Sequence, residues 1–219
     1  MKSLFITATN TNIGKTYSTH LLADYMNSQG IKTIIAKPIE TGDNGNEILD
    51  CQRHSQYNLK IDQSLSIEDI NFYRYKLPAS PFVAKKYENI STEIDFDMIY
   101  QKLSNLESKC DVLLIEGAGG LMVPINEEYN MLDLARFLKA SMCLISSDKL
   151  GMINDLVLNI EFLKSKNIPC IYAINLINEE NYNTISKPYI EYLNTKLPNP
   201  IYILQKDISK ITHDFLSFS

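Results

Sequence analysis

Cysteine is scarce and scattered in this chain. Cys51, Cys110, Cys143 and Cys170 form no CxxC pair and no Cys/His cluster, which argues against a disulfide framework or a structural zinc. Cys143 and Cys170 lie in apolar runs, where a thiol packs as a small hydrophobe. Basic charge is also short: 21 Lys and Arg stand against 26 Asp and Glu, a net charge of −5. The footprint for duplex nucleic acid or an anionic membrane surface is therefore missing. A small phosphate-bearing ligand needs only local charge and stays admissible. No apolar run approaches the roughly 18 residues that cross a bilayer, and the opening MKSLFITAT lacks a signal core and a cleavage site. These absences lead us to expect a cytoplasmic protein.

Nor is there an internal repeat, a low-complexity tract or a clear linker. We expect one domain over residues 1–219, large enough to bury roughly 70% of the surface of its unfolded chain. Strand-length apolar runs recur at Leu4-Phe5-Ile6, Thr33 to Ala36, Val112 to Ile115, Met142 to Ile145, Ile171 to Ile174 and Ile201 to Leu204. They are continuous rather than alternating, the pattern of strands covered on both faces. Amphipathic stretches lie between most of them: one from Lys15 to a stop at Gly30, one from Asp97 to Leu106, one from Asn154 to Lys164. Such alternation predicts an α/β fold, a mostly parallel sheet with helices on both faces. The polar, turn-rich segment from Thr41 to Pro81 breaks the rhythm, with a weak helix near Glu47 to Tyr57. An excursion after strand two is expected over the carboxyl edge of the sheet, where α/β domains bind ligands.

The sharpest local signal is Thr9-Asn10-Thr11-Asn12-Ile13-Gly14-Lys15-Thr16, placed between the first strand and the first helix. Backbone N–H groups at a helix N-terminus cradle phosphate oxygens. Lys15 then reaches the β and γ phosphates, and the Thr16 hydroxyl is placed to ligand Mg²⁺. The leading glycine of GxxxxGK[ST] is absent, with Ala8 and Thr9 in its neighbourhood. A second signal is the buried strand that ends in Glu116-Gly117-Ala118-Gly119-Gly120. A carboxylate there suits a metal-bound nucleotide, and the glycines let backbone approach a ligand. The third is Lys37 in Lys37-Pro38-Ile39-Glu40-Thr41-Gly42, at the end of strand two. A second lysine facing the phosphate site neutralises charge that develops in phosphoryl transfer.

These blocks, followed by Lys149-Leu150-Gly151-Met152-Ile153-Asn154, come in the order and spacing of the dethiobiotin synthetases, which the chain resembles from strand one to about Asn175. The resemblance implies a single-domain P-loop NTPase-like fold and an ATP- and Mg²⁺-dependent ligase of biotin biosynthesis. Its substrates would be 7,8-diaminononanoate, CO2 and ATP, and its state a homodimer with shared active sites. Asn12, Ile13, Gly14, Lys15, Thr16 and Tyr17 would hold the triphosphate, and Asn175 the adenine. Thr16 and Glu116 would ligand Mg²⁺. Lys37 would stabilise the carbamate and the moving phosphoryl group, and Thr41 would contact the diamine or carbamate. Gly117, Ala118 and Gly119 would line the reacting centre. Leu150, Gly151, Met152, Ile153 and Asn154 would hold the substrate carboxylate from the partner subunit, at a helix start that suits an anion.

Two departures follow. The family's third metal carboxylate is an Asp five residues ahead of a Gln-Arg pair; counting back from Gln52-Arg53 gives Glu47, with Asp50 the alternative. The family's base-contacting Glu-x-Pro after the last strand is missing, so we expect weak discrimination among nucleotide bases. His20, His54 and His213 form no constellation in the sequence and read as surface or packing residues. Two other functions compete. A partition or septum-placing switch ATPase usually carries an early lysine in the phosphate loop, absent here. A corrinoid-precursor amidating synthetase normally carries a glutaminase domain, for which there is no room.

Overall fold

A computed structural model describes residues 2–45 and 48–217. All six anticipated strands form: β1 (Lys2–Ala8), β2 (Thr33–Ala36), β5 (Val112–Glu116), β6 (Ser141–Ser147), β7 (Ile171–Asn175) and β8 (Ile201–Ile203). They make one parallel sheet in the order β2-β5-β1-β6-β7-β8. Their continuous hydrophobicity now has its cause. Leu4, Ile6 and Ala8 of β1 enter one core while Phe5 enters the other, and in β5 Val112 and Leu114 are divided from Leu113 and Ile115 in the same way. Side chains alternate across a strand, so a sheet buried on both faces needs apolar residues at every position.

One face is covered by α1 (Lys15–Ser28), through Leu22, Ala23 and Met26, and by α9 (Leu204–Ser217), through Ile211 and Phe215. The other carries α4 (Phe96–Ser104), α5 (Met131–Phe137), α6 (Met152–Ser165) and α8 (Lys187–Asn194). Tight turns return the chain to the amino ends of the strands, and Lys139 and Asn167 there take left-handed φ of 52° and 53°.

The excursion is more ordered than its sequence suggests. It holds α2 (Asp50–Asn58), at the anticipated place, and a small parallel pair of β3 (Ile39–Thr41) with β4 (Tyr73–Tyr75). The short helix α3 (Pro81–Tyr87) closes it, and the brief α7 (Glu179–Asn181) precedes α8. The segment after the last strand is the 14-residue α9. It kinks at Asp207, and beyond the kink Ile211 and Phe215 bury one face at helical spacing. Among the described residues, no helix is long and apolar enough to cross a membrane.

Candidate active site

Parallel pairing brings the three sequence signals to one edge. Ile6 of β1 lies in register with Glu116, and Ala36 of β2 with Ile115. The phosphate loop, Lys37 and Glu116 therefore leave adjacent strands at their carboxyl ends. The loop and Lys37 border a cleft of about 830 Å³ whose lining includes Asn12, Gly14, Lys15, Thr16, Lys37, Thr41, Asp50, Ala118 and Gly119, while Glu116 lies buried behind Thr16 and Lys37. That volume suits a nucleotide-sized ligand.

Gly14 takes φ 90°, and a Cβ there would meet Asn175 Nδ2 at 2.3 Å. Glycine is thus required twice over, by backbone conformation and by close approach. Asn175 Nδ2 donates to the Ile13 carbonyl at 3.0 Å, tying the end of β7 to the loop. Its Oδ1 accepts from Gln205 Nε2 at 2.8 Å.

Glu116 is the hub. It is fully buried with four partners. Lys37 Nζ donates to Oε1 at 2.7 Å, and the Thr16 hydroxyl to the same oxygen at 3.1 Å. The Thr19 hydroxyl donates to Oε2 at 3.1 Å, and His54 Nε2 lies 3.0 Å from it. Burial alone would raise the Glu116 carboxyl, but Lys37 and His54 beside it hold it well below the usual carboxylate range. Lys37 is the mirror case. Burial would lower its ammonium, yet Glu116, Glu40 and Asp50 push it above the ordinary lysine range. Lys15 is lowered by burial and by the nearby charge of Lys37.

The excursion supplies the remaining charge. Asp50, in the first turn of α2, accepts from Lys37 Nζ at 2.9 Å. Glu40 Oε1 lies 3.6 Å from the same ammonium, while its Oε2 accepts the Cys51 backbone N–H at 2.9 Å. Glu40 thereby caps α2 from another element, where a carboxylate suits the helix dipole. Three carboxylates formally face two ammonium groups, and the excess negative charge favours a cation carried on a polyphosphate.

Some anticipated residues stand elsewhere. Glu47 lies outside the described residues. Gly117 packs against Phe5, where a Cβ would come within 2.9 Å of the ring, and it is not among the cleft's lining residues. Tyr17, in the first turn of α1, is about half exposed. Gly151 precedes α6, Ile153 and Asn154 lie in its first turn, and Leu150 is 87% exposed. Leu150 and Met152 instead border a smaller cavity of about 210 Å³ beside Thr9 and Ile13.

The histidines need a correction. His213 is exposed, as expected. His54, however, is fully buried against Glu116, and its Nδ1 lies 2.9 Å from His20 Nε2. His20 in turn stacks on Tyr57, with ring centroids 5.1 Å apart. The two form a constellation that spans 34 residues of sequence. The available signal was the buried spacing of Cys51, His54, Tyr57 and Asn58 on α2, which points His54 inward.

The profile of a family described as an AAA domain matches residues 2–201. An ATP-dependent dethiobiotin synthetase BioD of Helicobacter pylori (strain ATCC 700392 / 26695) is 49% identical over 208 residues, 94% of this chain and 95% of the relative. The enzyme of that name from Wolinella succinogenes is 41% identical over 221 residues, 99% of both chains. Among solved structures, a GTPase from Pyrococcus abyssi superposes with a TM-score of 0.59 at 14% identity, covering 100% of this chain and 98% of the other. A MinC:MinD cell division protein complex from Aquifex aeolicus gives 0.55 at 13% identity, covering 98% and 86%. The structural likenesses show the fold alone.

Proposed function

The chain belongs to the family of ATP-dependent dethiobiotin synthetases, ligases of biotin biosynthesis, and we propose that it closes the ureido ring of dethiobiotin through a carbamate and a carbamic–phosphoric anhydride. One amine of 7,8-diaminononanoate adds to CO2 and loses a proton, giving the carbamate. A carbamate oxygen attacks the γ-phosphorus of ATP and ADP departs. The second amine then attacks the anhydride carbon, forms the second C–N bond and expels phosphate.

The observation that carries this reading is the Lys37–Glu116 contact of 2.7 Å, made on the same Glu116 oxygen that accepts from Thr16 of the phosphate loop. Lys37 is a buried ammonium at the end of β2, two strands from the phosphate loop that follows β1. It is placed to meet the carbamate and the moving phosphoryl group, where fixed charge is most effective. Lys15 and the backbone of Asn12 to Tyr17 hold the triphosphate, and Thr41, Ala118 and Gly119 border the diamine. Gly117 shapes the turn by its close packing on Phe5.

Thr16, Glu116 and a carboxylate of the excursion fit Mg²⁺, being hard oxygen donors beside the phosphate loop. For that third donor we now favour Asp50 over Glu47, because Asp50 already reaches Lys37. Among the described residues no group of three or more His, Cys, Asp or Glu could hold a metal ion unaided. When bound, Mg²⁺ neutralises charge across the β and γ phosphates.

Leu150 to Asn154 lie apart from the lining of their own protomer's large cleft, so in this reading they serve the site of a second copy. The homodimer, the carboxylate subsite and a cytoplasmic location all belong to the proposal. The switch-ATPase alternative draws on fold likeness alone, and its early loop lysine is missing from Thr9 to Ile13.

Phosphate release with ATP, Mg²⁺ and bicarbonate, measured with and without 7,8-diaminononanoate, tests the proposal. Release is expected only when both diamine and bicarbonate are present. Release indifferent to the diamine would overturn the assignment and bring the switch ATPase forward.

A further inference from the structure

The two buried histidines take no part in the chemistry above, yet they end on its hub. Glu116 is a carboxylate and can only accept, so the proton shared with His54 resides on His54 Nε2. On its other side, His54 Nδ1 lies 2.9 Å from His20 Nε2, so one shared hydrogen joins the two rings.

The partners of Glu116 divide by oxygen. Oε2 receives Thr19 and His54, both buried residues that are not among those lining the cleft. Oε1 receives Thr16 and Lys37, both of which line it. Two rear donors at 3.1 and 3.0 Å therefore fix the carboxylate plane and turn one oxygen toward the ligand.

We propose that His54, itself aligned by His20, is a positioning residue that holds the Glu116 carboxylate with Oε1 toward the cation carried by ATP. This rests on the reading of Glu116 as a cation ligand. Hydrogen-bond partners behind a metal ligand orient it, and their loss typically weakens metal binding by about 10- to 100-fold. Thr19 remains behind Glu116 in a His54 variant, so the lower end of that range applies.

The test uses the full chain with a non-hydrolysable ATP analogue and Mn²⁺ in place of Mg²⁺. Bound Mn²⁺ is read from the loss of the free-ion electron paramagnetic resonance signal. His54→Leu is expected to raise the Mn²⁺ dissociation constant about tenfold, and His54→Gln, whose amide N–H replaces the Nε2 donor, to stay within about threefold of wild type. A merely structural histidine would not show rescue by Gln in the ion's own signal. His20→Phe keeps the ring on Tyr57 without the nitrogen, and should weaken Mn²⁺ less than His54→Leu while still measurably. It also decides the matter if His54→Leu does not fold, as judged by circular dichroism. A folded His54→Leu that binds Mn²⁺ like wild type overturns the inference, as does His20→Phe with wild-type binding in the fallback case. Glu116→Gln distinguishes the deeper failure: if it too binds Mn²⁺ normally, Glu116 is not a cation ligand and the premise falls first.

Discussion

Gln205, in the first turn of α9, donates its side-chain amide to Asn175 at the end of β7, 2.8 Å away. This contact fixes which way the Asn175 amide points, because its Nδ2 is already committed to the Ile13 carbonyl. Under the proposed function, one further hydrogen on Nδ2 and one lone pair on Oδ1 would serve a nucleotide base.

A single amide so placed discriminates weakly. Activities with ATP, CTP and GTP should fall within about a hundredfold of one another. Initial rates with each nucleotide check this, and a larger preference for ATP would refute it. Gln205→Leu frees the Asn175 amide to turn, and should narrow the spread further.

Lys37 is expected to serve both stability and activity, and the two are separable by experiment. Lys37→Met is expected to lower kcat by about 10²- to 10³-fold. It also leaves Glu116 buried without its cation, which costs about 3–5 kcal/mol. Adding Glu116→Gln should return part of the melting temperature and none of the activity. Thermal denaturation beside steady-state kinetics provides the check, and a double variant no more stable than the single one would contradict the pairing.

The third cation donor is decided by comparing two carboxylates on one segment. Asp50→Asn should raise the Mg²⁺ concentration needed for half-maximal rate by about tenfold or more, while Glu47→Gln changes it little. The reverse outcome would restore Glu47, which the spacing from Gln52-Arg53 favours.

Alkaline stability follows from buried phenols. Tyr57, Tyr75 and Tyr202 are each pushed up to about 12, chiefly by burial. Tyrosine in an unfolded chain ionises near about pH 10, so on raising the pH the unfolded state loses these protons first. Their contribution is intact below about pH 10 and is lost between about pH 10 and 12. Denaturant unfolding at stepped pH should show the midpoint falling across that window. The chain has no tryptophan, so tyrosinate absorbance reports the same groups directly. A midpoint unchanged across the window would contradict the assignment.

The main sheet was legible because each of its strands is an unbroken apolar run, and the phosphate loop because its residues are consecutive. β3 and β4 escaped because three residues each are too few to show a period. Helix α9 carried a readable pair in Ile211 and Phe215, too short a signal to show a period ahead of the kink at Asp207. The link of His54 to Glu116 crosses 62 residues, and no local pattern encodes it. Only the inward spacing of α2 hinted that the ring was buried, and nothing in the chain named what it would touch. No local pattern separates Asp50 from Glu47 as the third cation donor.

The phosphate loop, Lys37 and Glu116 leave the sheet at the carboxyl ends of their strands, while exposed turns such as Lys139 and Asn167 sit at the amino ends. A tether or dye attached at those two positions would hold the molecule by its far side. Surface immobilisation through them should leave the cleft open to nucleotide, which makes these turns the natural handle for a sensor or a flow reactor.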